Sequence, residues 1–501
     1  QVIQKPQGID ALGCAAAALL PVQPPEVHAH LLVGMVQVLK ISFQEFPVGG
    51  IEGNLILVFI VHPQCLCHGH RVAVVLGKVR QNVTPGRFRD VLQQGGIVGA
   101  VQQQGGVQHH RDFLPGGLPD DLPSLHLPDG DVGEIVIPDT LGGYPVTILG
   151  AHAFSQSKTD AHTVIMPDTV HTLCQDAFCH CAAMESIHLP NGVRTIESGA
   201  FSHCSALESV VISEGVERIG AMAFSFCHNL EYVMIPGSVK KIDMAAFMLC
   251  SSLRHVQLSE GLEQMAERAF CYCRELETIT LPASLKHIGG NPFVGCWALE
   301  EIWVKEGNAA LEVRDGVLFE KSEKRLVCYP CAFEEEVYQV PEGTKTIGAD
   351  AFHTCGALER VHLPDGLEQL EDSAFYACDF TGVMLPASLK RMGNYALAGC
   401  ENLTGIVIPE GVEEIGDGAL EYCGLELVIL PRGLKKIGVI AFRGNEHLEN
   451  LVLPAGVDEI GKGAFDECPA LVLTVEEGTY GAEYARKTGV AYRIDQGGRR
   501  S

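Results

Sequence analysis

Apolar positions along most of the chain recur in a fixed order with a long period. The stretch from Cys204 to Phe224 shows the order: Cys204, Leu207, Val210, Ile212, Val216, Ile219, Ala223 and Phe224 stand among polar or variable positions. Val210 and Ile212 alternate with their neighbours, the period-two signal of a half-buried strand. Ser213-Glu-Gly follows, where most other units place Pro first, and this is turn chemistry. Val216 and Ile219 then point inward from a second short segment, and Ala223-Phe224 closes the unit and fills its core. One unit cannot bury that face alone, but stacked units can.

The closing aromatic falls at Phe154, Phe178, Phe201, Phe224, Phe247, Phe270, Phe293, Phe352, Phe375, Phe442 and Phe465, with Leu397 and Leu420 in the same slot. The step is 23 residues in most cases, 22 or 24 in others, and 59 once. Three residues after that slot comes Cys181, Cys204, Cys227, Cys250, Cys273, Cys296, Cys355, Cys378, Cys400, Cys423 and Cys468, with Asn445 replacing Cys once and Ser157 in the first unit.

The unit Cys-x-x-Leu-x-x-Ile-x-Ile-Pro-x-x-Val-x-x-Ile-Gly-x-x-Ala-Phe closely resembles the BspA-like leucine-rich repeat family, over about residues 129–495. The resemblance implies a repeat solenoid: a right-handed, β-rich coil with short helical or irregular turns over 129–475, in about 13 units. Gly142-Gly-Tyr-Pro145 lengthens the first turn as first repeats of the family do. Asp315-Gly-Val-Leu-Phe319 and Arg325-Leu-Val-Cys-Tyr-Pro330 look like the family's hairpin insertion, near 306–340, and account for the 59-residue step. Residues 476–495 resemble its helix-and-strand C-terminal cap, ahead of a tail at 496–501. The cap would cover core and strand groups that an open solenoid end exposes.

Charge separates this array from what precedes it. Residues 1–128 hold 8 basic and 8 acidic side chains, whereas residues 129–501 hold 28 and 54, so the whole net charge of -26 lies in the larger part. No overall basic footprint for nucleic acid is present. No run reaches 18 apolar residues, and a membrane-spanning helix is not supported. The Glu residues of the turns recur with the unit and read as a solvated face. The signatures G-x-S-x-G, H-E-x-x-H and the full phosphate loop G-x-x-x-x-G-K-[ST] do not occur; Gly456–Lys462 matches its first part, but Gly463 follows in place of Ser or Thr, so neither enzyme activity nor a cofactor is expected.

The first 128 residues lack the period and are rich in Gln, His, Gly and Val. That bias is also what reading the opposite strand of a coding sequence would give, which leaves open whether the segment is an ordered, authentic domain. Ala11–Leu20 after Lys5 resembles a signal h-region only faintly, since Pro21–Pro25 make a poor cleavage site. His62, Cys65, Cys67, His68 and His70 have the ligand types and density of a zinc site.

The chain has 19 Cys, and the ladder explains most of them. In leucine-rich repeats that slot points inward, which implies structural, reduced thiols about one coil, roughly 5 Å, apart. Cys328-Tyr-Pro-Cys331 is a lone CxxC in the insertion and reads as structural. Cys179 and Cys271, each two residues before a ladder Cys, are expected to be exposed.

Strand side chains alternate, so Ser209 and Val211 point out where Val210 and Ile212 point in. The same register over all units gives the outward stripe His188, Val211, Met234, Gln257, Thr280, Trp303, His362, Met384, Val407, Ile429 and Val452. Ser186, Ser209, Tyr232, His255, Thr278, Glu301 and Arg360 run beside it. Contiguous apolar surface marks partner sites, and Trp, Tyr and Arg are the usual anchors. The candidate contact residues are therefore Tyr232, Met234, His255, Trp303, Arg360 and His362. The resemblance implies a monomeric, non-enzymatic microbial adhesion-type protein, secreted or on the cell surface, that binds a protein or an extended macromolecule. An intracellular scaffold is the alternative, and the many Cys suit a reducing compartment.

Overall fold

The computed structural model describes residues 134–141, 144–155 and 162–495. These form a β-solenoid of about 15 turns with mostly parallel strands and one short C-terminal helix. The segment 1–128, with its five His and Cys between 62 and 70, lies outside the described residues.

One coil illustrates the rest. Strand Tyr232–Ile235 alternates exposed and buried residues, and a tight turn follows, with Val239 N–H donating to the Pro236 carbonyl at 3.1 Å. Strand Lys241–Ile242 crosses to the far side. The chain then passes Ala246 and Phe247, reaches Cys250, and turns back through Leu253, all fully buried. The first strand pairs in parallel and in register with that of the next coil: Tyr232 opposite His255 and Val233 opposite Val256.

The 23-residue step therefore becomes one interstrand spacing. The rings of Phe201, Phe224, Phe247 and Phe270 stack at 5.1–5.2 Å with planes within 9°, close to the separation of neighbouring strands. Phe201, Phe224 and Phe247 donate N–H to the Ala carbonyl of the next coil, as Phe224 does to Ala246 at 2.7 Å, and Phe270 donates to the Pro292 carbonyl at 2.8 Å. The residue before each ladder Cys takes the left-handed conformation: φ is 63° at His180, 62° at His203 and Phe226, and 58° at Tyr272. That conformation is uncommon for bulky side chains, and here the coil-to-coil ladder holds it.

The insertion is more than a hairpin. Strands Leu311–Arg314, Val317–Glu320 and Arg325–Cys328 form an antiparallel meander, and the last of them then pairs in parallel with Thr346–Ile347 of the resumed array. Tyr329 takes the aromatic slot, stacked on Phe352 at 5.0 Å. The coil before the insertion also meets the coil after it directly, since Asn291 N–H donates to the Ala349 carbonyl at 2.9 Å.

At the C-terminal end, helix α1, Tyr480–Thr488, is capped by Thr479, whose side chain accepts from Ala482 N–H. It is stopped by Gly489 at φ 81°, where a Cβ would be strained. Strand Tyr492–Ile494 then adds in parallel to Val472–Val475.

Candidate functional site

The first strand of a coil turns its first and third residues outward, as in Tyr232–Ile235, His255–Leu258 and Arg360–His362, and all six predicted contact residues are exposed there. Tyr232, Met234 and His255 form one cluster: Tyr232 lies opposite His255 on the next strand and its hydroxyl donates to Gln257 Oε1 at 3.2 Å. Trp303 lies opposite Thr280, is 57% exposed, and donates from Nε1 to Glu301 Oε2 at 3.2 Å. Arg360 and His362 belong to a separate sheet, paired with Val337 and Gln339. The stripe thus falls into two parts with the meander between them. Trp303 forms the rim of a cleft of about 530 Å³ against that meander, lined also by Lys305, Asn308, Glu312 and Lys321.

The face carries more apolar surface than a solvated sheet needs. Val211, Val407, Ile429 and Val452 are each about half exposed and Met384 is 88% exposed. Leu427 and Val337, which the sequence reading did not single out, add to it. The alternation that found the stripe was available at both positions.

Behind the face, the ladder Cys are hydrogen-bond donors, all buried except half-buried Cys468 at the C-terminal end. Cys227 Sγ donates to the Phe201 carbonyl at 3.3 Å, Cys250 to Phe224 at 3.2 Å and Cys378 to Phe352 at 2.9 Å. Cys181, Cys204, Cys273, Cys296, Cys400, Cys423 and Cys468 repeat the contact one coil back. Cys355 reaches Tyr329 at 3.9 Å. Burial pushes the Cys227 and Cys423 thiols up to about 12, so these are not nucleophiles at neutral pH. None of the sixteen described Cys forms a disulfide.

The model of the BspA type leucine rich repeat region matches residues 131–254, 218–322, 327–449 and 419–479. The chain belongs to the BspA-type leucine-rich repeat family. Among solved structures, this BspA-type chain is similar to a leucine rich cell surface protein of Faecalibacterium prausnitzii. Identity is 29% and the TM-score 0.55, over 71% of this chain and 90% of that one. A leucine-rich repeat protein of Eubacterium ventriosum is 20% identical with a TM-score of 0.49, over 68% and 91%. The pneumococcal vaccine antigen PcpA is 20% identical with a TM-score of 0.43, over 72% and 89%. No curated protein matches the sequence.

In this BspA-type array two thiol expectations change. Cys271 is 3% exposed, not surface-facing, because Ala245, Met248 and Val294 from adjacent coils pack on it as a small second core. Cys179 is half-buried. Of the CxxC pair, Cys328 is buried in its strand, whereas Cys331 is half-buried and 3.7 Å, sulfur to sulfur, from Cys355. Among the described residues, no helix is long and apolar enough to cross a membrane.

Proposed function

We propose that the chain is a non-enzymatic binding protein of the adhesion type. It would act at a microbial cell surface or after secretion, holding a protein or other extended macromolecule against the strand face. The observation that carries this reading is the outward row of exposed apolar and anchor side chains, with Tyr232, Met234 and Trp303 on one side of the meander and Arg360, His362 and Met384 on the other. A long repeated surface of this kind suits an extended partner. The similar F. prausnitzii protein is described as a cell surface protein, which supports the location.

The test is solid-phase binding of the full chain to intact host epithelial cells and to neighbouring bacteria. The comparison is a Trp303→Ala, Met234→Glu double variant. Loss of two central anchors lowers affinity by roughly 30-fold or more. A double variant that keeps its circular dichroism and full binding moves the contact off this face, to the acidic turns or the meander.

An intracellular scaffold is the second reading, favoured by the sixteen described Cys that form no disulfide. Protease shaving of intact producing cells, with assay of the culture medium, separates the two, since an intracellular protein is neither cleaved nor released.

A further inference from the structure

Outside the strand face, the turn between each Phe and its ladder Cys stacks side chains of consecutive coils into columns. His180 and His203 occupy one such column, with ring centroids 4.3 Å apart, and Phe226 continues it at 4.2 Å. Cys179 precedes His180 in the same turn. One ligand atom from each of Cys179, His180 and His203 lies within 4.8 Å of the other two, and no second grouping of this kind occurs among the described residues.

We propose that Cys179, His180 and His203 form a binding site for a divalent transition-metal ion of the zinc class. One thiolate with two imidazoles is the donor set that such ions select, whereas calcium and magnesium require oxygen. An ion held at about 2.0–2.3 Å places tetrahedral ligand atoms roughly 3.3–3.8 Å apart. The cluster therefore closes by about an ångström at its widest. Stacked rings send their lone pairs out in parallel, so binding turns His180, the exposed member, out of its stack. Three protein ligands leave a fourth position for water or for a donor from another molecule.

The surroundings fit a metal as well as the donors do. His203 Nδ1 lies 2.8 Å from Ser202 Oγ, which lies 2.9 Å from Ser225 Oγ, and Ser225 donates to the Met222 carbonyl at 3.0 Å. The last link sets the direction of the others. Ser225 spends its one proton on the carbonyl, so Ser202 donates to Ser225 and His203 Nδ1 donates to Ser202. The other ring nitrogen is left with its lone pair, the form that binds a metal. An outer contact that fixes ring and tautomer is what metal-binding imidazoles ordinarily have. Burial first, and then the charge of Asp176, push the Cys179 thiol up to about 11, while a hydrogen bond with Ser202 lowers it, so an ion binds by displacing the thiol proton.

The experiment uses the full, reduced, metal-free chain titrated with cobalt(II) and then zinc(II) against a competing chelator. Cobalt reports the site by a thiolate-to-cobalt charge-transfer band and by intense tetrahedral d–d bands. Because the chain also holds Cys65, Cys67 and neighbouring His, the count is read as a difference from the unaltered protein. Cys179→Ser, His180→Ala and His203→Ala should each remove one equivalent. His228, whose ring meets Phe226 edge-on at 6.1 Å, lies outside the cluster, so His228→Ala should remove none. Ser202→Ala should keep the site at about 10- to 100-fold lower affinity. His180 is exposed, so its variant should fold even where a change at half-buried Cys179 does not. Equal stoichiometry and equal spectra for the unaltered chain and His180→Ala would overturn the proposal.

Discussion

Asn445 Nδ2 donates to the carbonyl oxygen of Leu420 at 2.8 Å, the bond that Cys423 Sγ makes to Leu397 one coil earlier at 3.1 Å. The slot therefore selects a small donor that reaches back one coil. Among the described residues, no backbone N–H donates to the Leu420 or Phe224 carbonyl, so each would otherwise be buried without a partner, at a cost of about 1–3 kcal/mol. The Phe201 and Phe247 carbonyls, by contrast, also accept from Cys204 and Cys250 N–H at 3.3 Å each.

That relationship orders two substitutions at one site. Cys250→Ala removes the donor to Phe224 and should cost about 2–3 kcal/mol, from the unmet carbonyl and the lost volume. Cys250→Ser keeps a donor in the slot and should cost about 1 kcal/mol. Urea unfolding followed by circular dichroism checks the order. Equal costs would mean that packing, not the bond, is what the ladder supplies.

Thiol reactivity should divide the described Cys into two classes. The Cys355 thiol hydrogen-bonds to Cys331 and holds it below the ordinary thiol value, and Cys331 is half-buried. Iodoacetamide at mildly alkaline pH should label Cys331 first. Cys227 and Cys250 should react only after denaturation, since burial raises both. Peptide mass spectrometry reads the outcome, and rapid native labelling of Cys227 and Cys250 would mean they are not inward.

His353 should make the array sensitive to mild acid. Burial lowers its pKa from 6.5 to about 4, Asp350 opposing and Arg268 adding to the shift. The unfolded chain takes up the proton first as pH falls below 6.5, so stability drops across the window from 6.5 to about 4 and is fully present above it. The loss amounts to about 3 kcal/mol at the lower limit. His353→Phe retains a ring against Tyr376, which the imidazole stacks on at 4.8 Å, and should flatten this part of the stability profile. A variant whose stability falls as steeply as the unaltered chain's between these values would assign the loss to carboxylates.

Arg325 should be the staple of the insertion. Its buried guanidinium donates to the Ile288 and Gly289 carbonyls at 3.1 and 2.6 Å and to Glu320 and Glu371 at 3.2 Å each. It thereby ties the meander to the coils before and after it. Arg325→Met leaves these acceptors unmet and should cost about 3–5 kcal/mol. Because contacts in an array run only between neighbours, loss at this seam should split urea unfolding into two steps. A single transition at the original midpoint would show that the coils on either side do not depend on the staple.

The repeat was legible because one coil is a complete chemical sentence: the same apolar spacing, turn and Phe-x-x-Cys recur, so register, core and outward stripe follow from period alone. Tyr232, Met234, His255, Trp303, Arg360 and His362 were found in that way, and all are exposed on the strand side. What the period does not encode is contact between residues that no repeat relates. Arg268 forms a two-bonded pair with Asp350, both bonds 2.9 Å, across 82 residues, because the insertion loops out and lets distant coils meet. Cys271 looked exposed by its place beside a ladder Cys, yet side chains from adjacent coils cover it. His180 and His203 reveal nothing as separate residues; the left-handed turn and the spacing of one strand bring them into a single column. The sequence alone determined the coil and the inside of every repeat, since local periodicity sets both. Only the tertiary structure decided which outward side chains meet, because that depends on how one coil is laid on the next and on where the array is interrupted.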